Sequence, residues 1–155
     1  MAGNQEDAKA RRDRELGELL QELRVAITGV QVLFAFLLTV PFTDRFRSLQ
    51  DSQRRVYFAA VLAAAVSSLL LIAPAANHRL LFREGVKEAM LRAANRLAIA
   101  GFTTLALGIG LSLYLVTTMV YETRTAVLVA IAIGLLTVFA WFVFPRLIKE
   151  DEERR

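Results

Sequence analysis

Polar side chains recur along one face of the first long apolar segment of the chain. On a helix of 100° per residue they fall, together with Ala35, within about 80° of arc: Gln21, Arg24, Thr28, Gln31 and Thr39. An amide or hydroxyl that faces hydrocarbon without a hydrogen-bond partner costs several kcal/mol. We therefore expect this polar stripe to face other helices of the protein.

Two kinds of chemistry are open to the polar stripe. In the first, its side chains form interhelical hydrogen bonds of about 0.6 kcal/mol each, with Thr28, Ser68, Thr104 or Ser112 as candidate partners. In the second, the stripe lines a path for a solute or a proton, and Arg24 guards its mouth. Ion coupling generally uses an ionisable side chain or a broken helix at mid-depth, and the apolar runs of this chain contain neither. The sequence favours the structural interpretation.

Other residues that could do chemistry are few. The chain has no Cys and one His, which excludes thiolate and His-rich metal sites. It also lacks the P-loop, zinc-protease and serine-hydrolase motifs. The remaining candidate acids and bases are split between the two expected membrane faces: Glu22, Arg24, His78, Arg79, Glu122 and Arg124. We predict a protein that is not an enzyme, needs no cofactor and binds no nucleic acid.

Charged and apolar residues are segregated along the chain. Of its 155 residues 55% are hydrophobic, the mean hydropathy is +0.45, and the charges lie in blocks between four uncharged runs. The runs cover residues 25–42, 56–77, 97–121 and 125–145, each close to the ~20 residues that a helix needs to cross ~30 Å of hydrocarbon. We predict an all-α protein with four transmembrane helices, the first starting at about residue 23, in one membrane domain that covers residues 1–155.

The ends of the predicted spans agree with backbone chemistry. Pro41 and Pro145 end the first and fourth runs, and Pro74 lies near the end of the second, where a lost helical hydrogen bond costs least. The flanking segments are predicted to be a disordered tail over residues 1–12 and a charged, solvated tail over residues 146–155.

Basic residues indicate the orientation. Fourteen of the nineteen Lys and Arg lie in residues 1–24, 78–96 and 146–155, and five lie in residues 43–55 and 122–124. By the positive-inside rule, the segments with more basic residues face the cytoplasm. We predict a multi-pass protein of the plasma membrane with both termini in the cytoplasm.

Two charged segments have helical periodicity. The first helix is expected to begin near Asp13 as an amphipathic extension, with Leu16, Leu19, Leu20, Leu23 and Ile27 on one face. Between the second and third spans, residues 80–96 place Phe82, Val86, Ala89, Met90, Ala93 and Leu97 on one face, which predicts an amphipathic cytoplasmic helix at the membrane surface. The alternative is that this segment extends the third span into the cytoplasm.

Small residues recur every four positions on three of the predicted spans. The third span carries Ala100, Thr104, Gly108 and Ser112, the fourth carries Ala126, Ala130 and Gly134, and the second carries Ala60, Ala64 and Ser68. Small side chains at this spacing let helix backbones approach closely in lipid, where packing drives association. We predict that the four spans form a compact four-helix bundle.

The same region resembles a known family. The stretches "ELLQELRVAITGVQVLFAFLLTVPF", "RVYFAA" and "NHRLLFR" are similar to an uncharacterised bacterial family of small four-span membrane proteins, classed as a domain of unknown function. The resemblance covers residues 15 to about 145, and its most specific part carries Gln21, Glu22, Arg24 and Gln31. Some relatives carry an automatic sodium:proton antiporter label. The resemblance implies no established activity and assigns no site residue.

Two classes of function compete. The first is an accessory or scaffold protein that sits in the lipid bilayer and binds another membrane protein, or a second copy of itself, through its helices or cytoplasmic face. The alternative is a small cation or proton transporter. The absence of a charged residue from the four runs favours the first class.

Overall fold

The chain is helical throughout the part that the structure describes. The structure is a computed structural model and describes residues 2–81, 87–144 and 146–147. Its α-helices are α1 (Ala2–Thr39), α2 (Asp44–Arg47), α3 (Asp51–Leu81), α4 (Lys87–Thr118) and α5 (Thr123–Val138). A 3₁₀ turn, Val40–Phe42, follows α1, and a π-helical turn, Phe139–Val143, follows α5. No β-strand occurs in these residues, which confirms the all-α class.

Four helical stretches are long and apolar enough to cross a membrane. They are Arg14–Phe42, Asp51–Asn77, Ala89–Thr118 and Thr123–Trp141, as judged by length and composition. The prediction of four long apolar helices is confirmed. The four stretches lie in α1, α3, α4 and α5 with its π-helical continuation, so α2 is a short connecting helix.

The four long helices form an open arrangement. The α3 and α4 helices pack against each other most extensively, α1 packs against α3 and to a lesser degree α4, and the backbone of α5 approaches only that of α4 among the described long helices. The compact bundle expected from the small-residue ridges is therefore not what the structure shows. Ala126 is the one fully buried residue of α5, whereas Leu128 and Leu135 point away from the rest of the chain.

The inward face of α1 is a row of aliphatic residues at seven-residue spacing. Leu16, Leu23, Val30 and Leu37 are at most 6% exposed, and the middle two lie in a buried cluster with residues of α3 and α4. A seven-residue repeat keeps one face of a helix on its neighbour over many turns, as in coiled coils. This aliphatic seam fixes the rotation of α1 about its own axis.

The start of α1 differs from the predicted one. The helix begins at Ala2, so residues 2–12, expected to be a disordered tail, continue it. Segment 2–15 is rich in Ala, Glu, Lys and Arg, which favour helix, and no proline interrupts it. An ion pair of 2.9 Å between Arg11 and Glu15, one turn apart, adds a small stabilisation. The charged tail over residues 146–155 lies outside the described residues except for Arg146 and Leu147.

The segment between the second and third spans follows the alternative prediction where it is described. Helix α4 begins at Lys87 and continues into the third span, so residues 87–96 extend that span and do not form a separate surface helix. No proline or glycine breaks the helix there, so its hydrogen bonds continue. Ala89 and Ala93, expected on an apolar face, are exposed, whereas Ala94 is buried. Residues 82–86, with Phe82 and Val86, lie outside the described residues.

The second apolar stretch ends at Asn77, where the span was predicted to end. Helix α3 passes through Pro74, which is fully buried, and continues to Leu81, about one turn beyond that stretch. Pro145, expected to end the fourth span, lies outside the described residues.

Helices α3 and α4 are in tight contact at Gly101. A Cβ atom at this position would lie 2.7 Å from both Cγ and Cδ2 of Leu71, which is completely buried. The buried hydroxyl of Ser67 donates a hydrogen bond of 2.9 Å to the carbonyl oxygen of Gly101. Small size and a hydrogen bond thus act at the same point of the interface, as is common between membrane helices.

Tyr57 holds the connection between α1 and α3 in place through a hydrogen bond and an aromatic contact. Its buried hydroxyl donates a hydrogen bond of 2.9 Å to the carbonyl oxygen of Leu37. In a continuing helix this oxygen would accept from the residue four positions later, which is Pro41 and has no N–H. The ring of Phe46 in α2 packs edge-on against Tyr57 with centroids 5.0 Å apart. Tyr57 therefore supplies the donor that Pro41 removes.

Candidate functional site

A groove between α1 and α3 brings together part of the polar stripe. It has a volume of about 750 Å³, and residues of both helices line it: Leu20, Leu23, Arg24, Ile27, Thr28, Gln31, Leu71, Ala75 and Arg79. We call it the α1–α3 groove. It contains three of the five stripe residues and adds a second arginine from α3.

The position of the groove follows from the aliphatic seam of α1. Arg24 and Gln31 each come one residue after a seam residue, Leu23 and Val30, and so lie 100° around the helix from it. Burial of the seam against α3 and α4 leaves this next strip of α1 at the edge of the contact. The polar strip therefore borders the helix interface without being enclosed by it.

The prediction that the polar stripe faces other helices is wrong. The side chains of Gln21, Arg24, Thr28, Gln31 and Thr39 are all exposed on the outer surface of the chain. The cost of exposing polar groups, taken alone, predicts that the polar stripe faces the other helices. The buried seam shows that packing of four aliphatic side chains decides the rotation of α1 instead.

The candidate hydrogen-bond partners of the stripe are occupied within their own helices. The hydroxyls of Ser68, Thr104 and Ser112 donate to carbonyl oxygens four residues earlier, at 2.9, 2.7 and 2.7 Å. Thr28 likewise donates to the carbonyl oxygen of Arg24 at 3.1 Å, and Thr39 to that of Phe36 at 2.7 Å. The Gln31 amide has no hydrogen-bond partner among the described residues, and it is available to an external one.

Two arginines give the α1–α3 groove its charge. Arg24 and Arg79 are exposed, and neither has an ion-pair partner within the part of the chain that the structure describes. Of the described residues that line the groove, none is acidic. The groove therefore combines aliphatic walls with two uncompensated positive charges.

The small residues expected at helix contacts occupy different environments. On α4, Gly108 is buried, Thr104 and Ser112 are half-buried, and Ala100 is exposed; on α5, Ala126 is buried and Ala130 and Gly134 are half-buried. A Cβ atom at Gly108 would lie 3.5 Å from Cβ of Ala63 and 3.6 Å from the backbone nitrogen of Ala64. Gly108 thus faces α3 at ordinary packing distance.

A second groove runs along the contact between α4 and α5. It has a volume of about 640 Å³ and is mostly apolar, and its lining includes Thr103, Ala106, Gly110, Tyr114, Ala130, Ile131 and Gly134. A Cβ atom at Gly110 or at Gly134 would meet nothing within 4 Å. We call this the α4–α5 groove; its lining combines small residues such as Gly110 and Gly134 with larger aliphatic ones such as Leu107 and Val127.

Several residues that hold the structure together were not singled out from the sequence. Ser67, Gly101 and Tyr57 make the buried polar contacts, but each belongs to an ordinary apolar run. The buried positions 94, 98, 101 and 105 of α4 follow a four-three-four spacing that identifies its inward face. That spacing predicts that Gly101 lies on the inward face of α4. The hydrogen-bond partner of Tyr57 depends on the path of the chain between α1 and α3, and no sequence pattern predicts it.

Side chains that could hold a metal ion do not cluster in the described part of the chain. Groups of three or more His, Asp or Glu that could hold a metal ion are absent from the described residues. Buried side-chain nitrogen and oxygen atoms of this part of the chain all have hydrogen-bond partners. The described residues include a charged groove between α1 and α3 and a mostly apolar groove between α4 and α5.

Comparison with known proteins places the chain in a family. No curated protein and no solved structure matches it. A model of the family of unknown function DUF6328 matches residues 5–145, which is most of the chain. The chain therefore belongs to the family of unknown function DUF6328.

Proposed function

We propose that this protein is a non-enzymatic, multi-pass membrane protein that binds the transmembrane helix of another membrane protein in its α4–α5 groove. The observation that carries the proposal is the position of α5, which approaches a single neighbour, α4, among the described long helices. Together the two helices leave an open groove with glycine on both sides, at Gly110 and Gly134.

Physical properties of the groove suit a helix as its occupant. Glycine costs about 1 kcal/mol relative to alanine inside a helix, and neither Gly110 nor Gly134 is needed to avoid a clash within the chain. Glycine lets a second helix approach closely in lipid, where van der Waals packing drives association. The half-buried Tyr114 also lines the groove, and its hydroxyl makes no hydrogen bond within the described residues, so it can bond to the occupant.

Filling the groove tests this proposal. We expect Gly134→Leu to remove a partner that co-purifies stoichiometrically with the wild-type protein in mild detergent, as measured by quantitative mass spectrometry. Gly29→Leu is the matched control, because Gly29 lies on the exposed surface of α1 and a Cβ atom there would also meet nothing within 4 Å. A partner kept equally by both variants would show that the α4–α5 groove is not its binding site.

The size of the purified protein distinguishes the two kinds of partner. If the occupant is a second copy of the chain, light scattering should give a dimer for wild type and Gly29→Leu and a monomer for Gly134→Leu. If the occupant is another protein, wild type should be monomeric when that protein is absent. A monomer that also has no stoichiometric partner would contradict the proposal.

The cation or proton transporter is the second candidate, since Arg24, Thr28 and Gln31 lie in one groove. That groove is open at the surface, so a closed path would require a further chain to cover it. We expect purified protein in liposomes not to dissipate a pH gradient on addition of sodium or potassium. Flux above that of empty liposomes, lost in Gln31→Leu, would favour the transporter.

For localisation we propose the plasma membrane with both termini in the cytoplasm, on the basis of the fourteen basic residues of the segments expected inside. The chain has no Cys, so single cysteines can report orientation. Ser48→Cys and Ala89→Cys place a thiol at exposed positions in segments expected outside and inside, respectively. In intact cells a membrane-impermeant maleimide should label Ser48→Cys alone; labelling of Ala89→Cys alone would reverse the orientation.

A further inference from the structure

We propose that the α1–α3 groove binds a bilayer phospholipid with an anionic headgroup, whose phosphate lies between Arg24 and Arg79. This inference does not depend on the α4–α5 groove. It rests on the charge of the groove, the direction of the two arginine side chains, the apolar walls and the level of the groove along the helices.

Charge is the first argument. The guanidinium group of arginine matches phosphate oxygens with paired hydrogen bonds, and these charge-assisted bonds are stronger than neutral ones. Arg24 and Arg79 have no ion-pair partner within the described residues. The nearest acid in sequence, Glu22, lies 200° around α1 from Arg24 and does not line the groove. Two arginines with no carboxylate among the described lining residues attract an anion.

The two arginines converge although they come from antiparallel helices. The bond between Tyr57 and Leu37 shows which levels of α3 and α1 face each other, and Leu71 and Leu23 share one buried cluster. At this register Arg79 lies about 13 Å beyond Arg24 along the pair. Helical side chains lean towards the N-terminus of their own helix, so Arg24 leans outwards along α1 and Arg79 leans back towards it. Both therefore reach the same end of the groove.

The remaining lining suits the rest of a phospholipid. Leu20 and Ile27, which line the groove and are partly exposed, give aliphatic contact for acyl chains.

The level of the groove is that of a lipid headgroup. Arg24 immediately precedes the uncharged run of residues 25–42, and Arg79 follows the run of residues 56–77 by two positions. In a membrane the two guanidinium groups, which lean towards each other over the ~13 Å between their helix positions, would lie near the boundary of the hydrocarbon on one face. Basic pockets between helices at this depth are typical sites for anionic headgroups.

Native mass spectrometry of the full chain in mild detergent tests the proposal. The probes are phosphatidylglycerol and phosphatidylcholine with identical acyl chains, added separately to delipidated protein. We expect phosphatidylglycerol to be retained preferentially by wild type, and Arg24→Gln/Arg79→Gln to weaken its retention by about tenfold or more. The control Arg96→Gln/Arg124→Gln removes the same charge from two exposed arginines outside the groove and should bind as wild type.

Three results would overturn the proposal. Equal retention of the two lipids by wild type would show that the groove does not recognise an anion. Unchanged phosphatidylglycerol binding in the groove variant would place the lipid elsewhere. Displacement of the lipid by inorganic phosphate at millimolar concentration would show that free phosphate, without acyl chains, is the ligand. If the double variant does not fold, the single variants Arg24→Gln and Arg79→Gln are measured, and each should bind less lipid than wild type.

The same samples separate this site from the other possible occupants. A second copy of the chain in the groove would give a dimer that Arg24→Gln/Arg79→Gln dissociates while lipid binding is unchanged, and this would also refute the proposal. Gly134→Leu should bind phosphatidylglycerol as wild type does. The lipid site and the helix-binding groove can thus fail independently.

Discussion

Replacing Gly101 with alanine tests whether the tight contact between α3 and α4 limits stability. The new Cβ atom would lie 2.7 Å from Cγ and Cδ2 of Leu71, well inside normal contact distance. Leu71 is fully buried, so its side chain can move only by displacing its packed neighbours or by turning into the α1–α3 groove, which it lines. Either the leucine must leave its preferred rotamer or the two helices must separate slightly.

The size of the effect follows from a comparison with Gly110→Ala. Both substitutions lie on α4 and gain the same helix propensity, about 1 kcal/mol over glycine. At Gly110 the added Cβ atom meets nothing within 4 Å, so only the gain remains. Overpacking a buried contact costs about 1 to 3 kcal/mol. We expect Gly101→Ala to be less stable than Gly110→Ala by that amount, because the propensity gain cancels in the difference.

Unfolding by sodium dodecyl sulfate in mixed micelles, followed by circular dichroism, measures this difference as a free energy. A double variant adds a sharper test: in a Leu71→Ala background the clash is removed, and Gly101→Ala should no longer destabilise the protein. Equal stability of Gly101→Ala and Gly110→Ala in the wild-type background would refute the reasoning. So would an unchanged penalty in the Leu71→Ala background.

Two further predictions concern the buried hydrogen bonds. Tyr57→Phe should lower the unfolding free energy by about 1 to 3 kcal/mol, because it leaves the Leu37 carbonyl oxygen unpaired. The loss should be smaller in a Pro41→Ala background, where residue 41 regains an N–H. An equal loss in both backgrounds would contradict this role of Tyr57. Ser67→Ala should cost about 0.6 kcal/mol in the same assay, because the Gly101 carbonyl oxygen loses an interhelical donor; a loss well above that would mean that Ser67 contributes mainly through packing.

The helices could be predicted from the sequence because their physical cause is local. An uncharged run of about twenty residues must satisfy its backbone hydrogen bonds internally, and this alone predicts the four long helices. The start of α4 was less certain, since the sequence of residues 87–96 suits a surface helix as well as an extension. In the structure the backbone hydrogen bonds continue without a break from Lys87 into the third span.

The rotation of α1 could not be predicted from polarity alone. Gln31 and Val30 are neighbours in sequence, and the sequence argument placed the first towards the other helices, whereas the structure buries the second. Burying Gln31 would offer its amide hydrogen-bond partners but expose Val30, whereas burying Val30 leaves the Gln31 amide exposed. The outcome depends on how well Val30 packs against α3 and α4. The open position of α5 has a similar origin, because small residues permit close contact without specifying the partner.

The bond between Tyr57 and Leu37 has a consequence for the order in which the protein assembles during synthesis. The first helix leaves the ribosome before the third, and its Leu37 carbonyl oxygen lacks a backbone donor because of Pro41. Until α3 has been made, water or lipid headgroups must supply that hydrogen bond. Tyr57 follows Leu37 by only twenty residues, so the hairpin of α1 and α3 can close as soon as the start of α3 is available. The residues of α4 then meet a surface that the first two long helices have already formed.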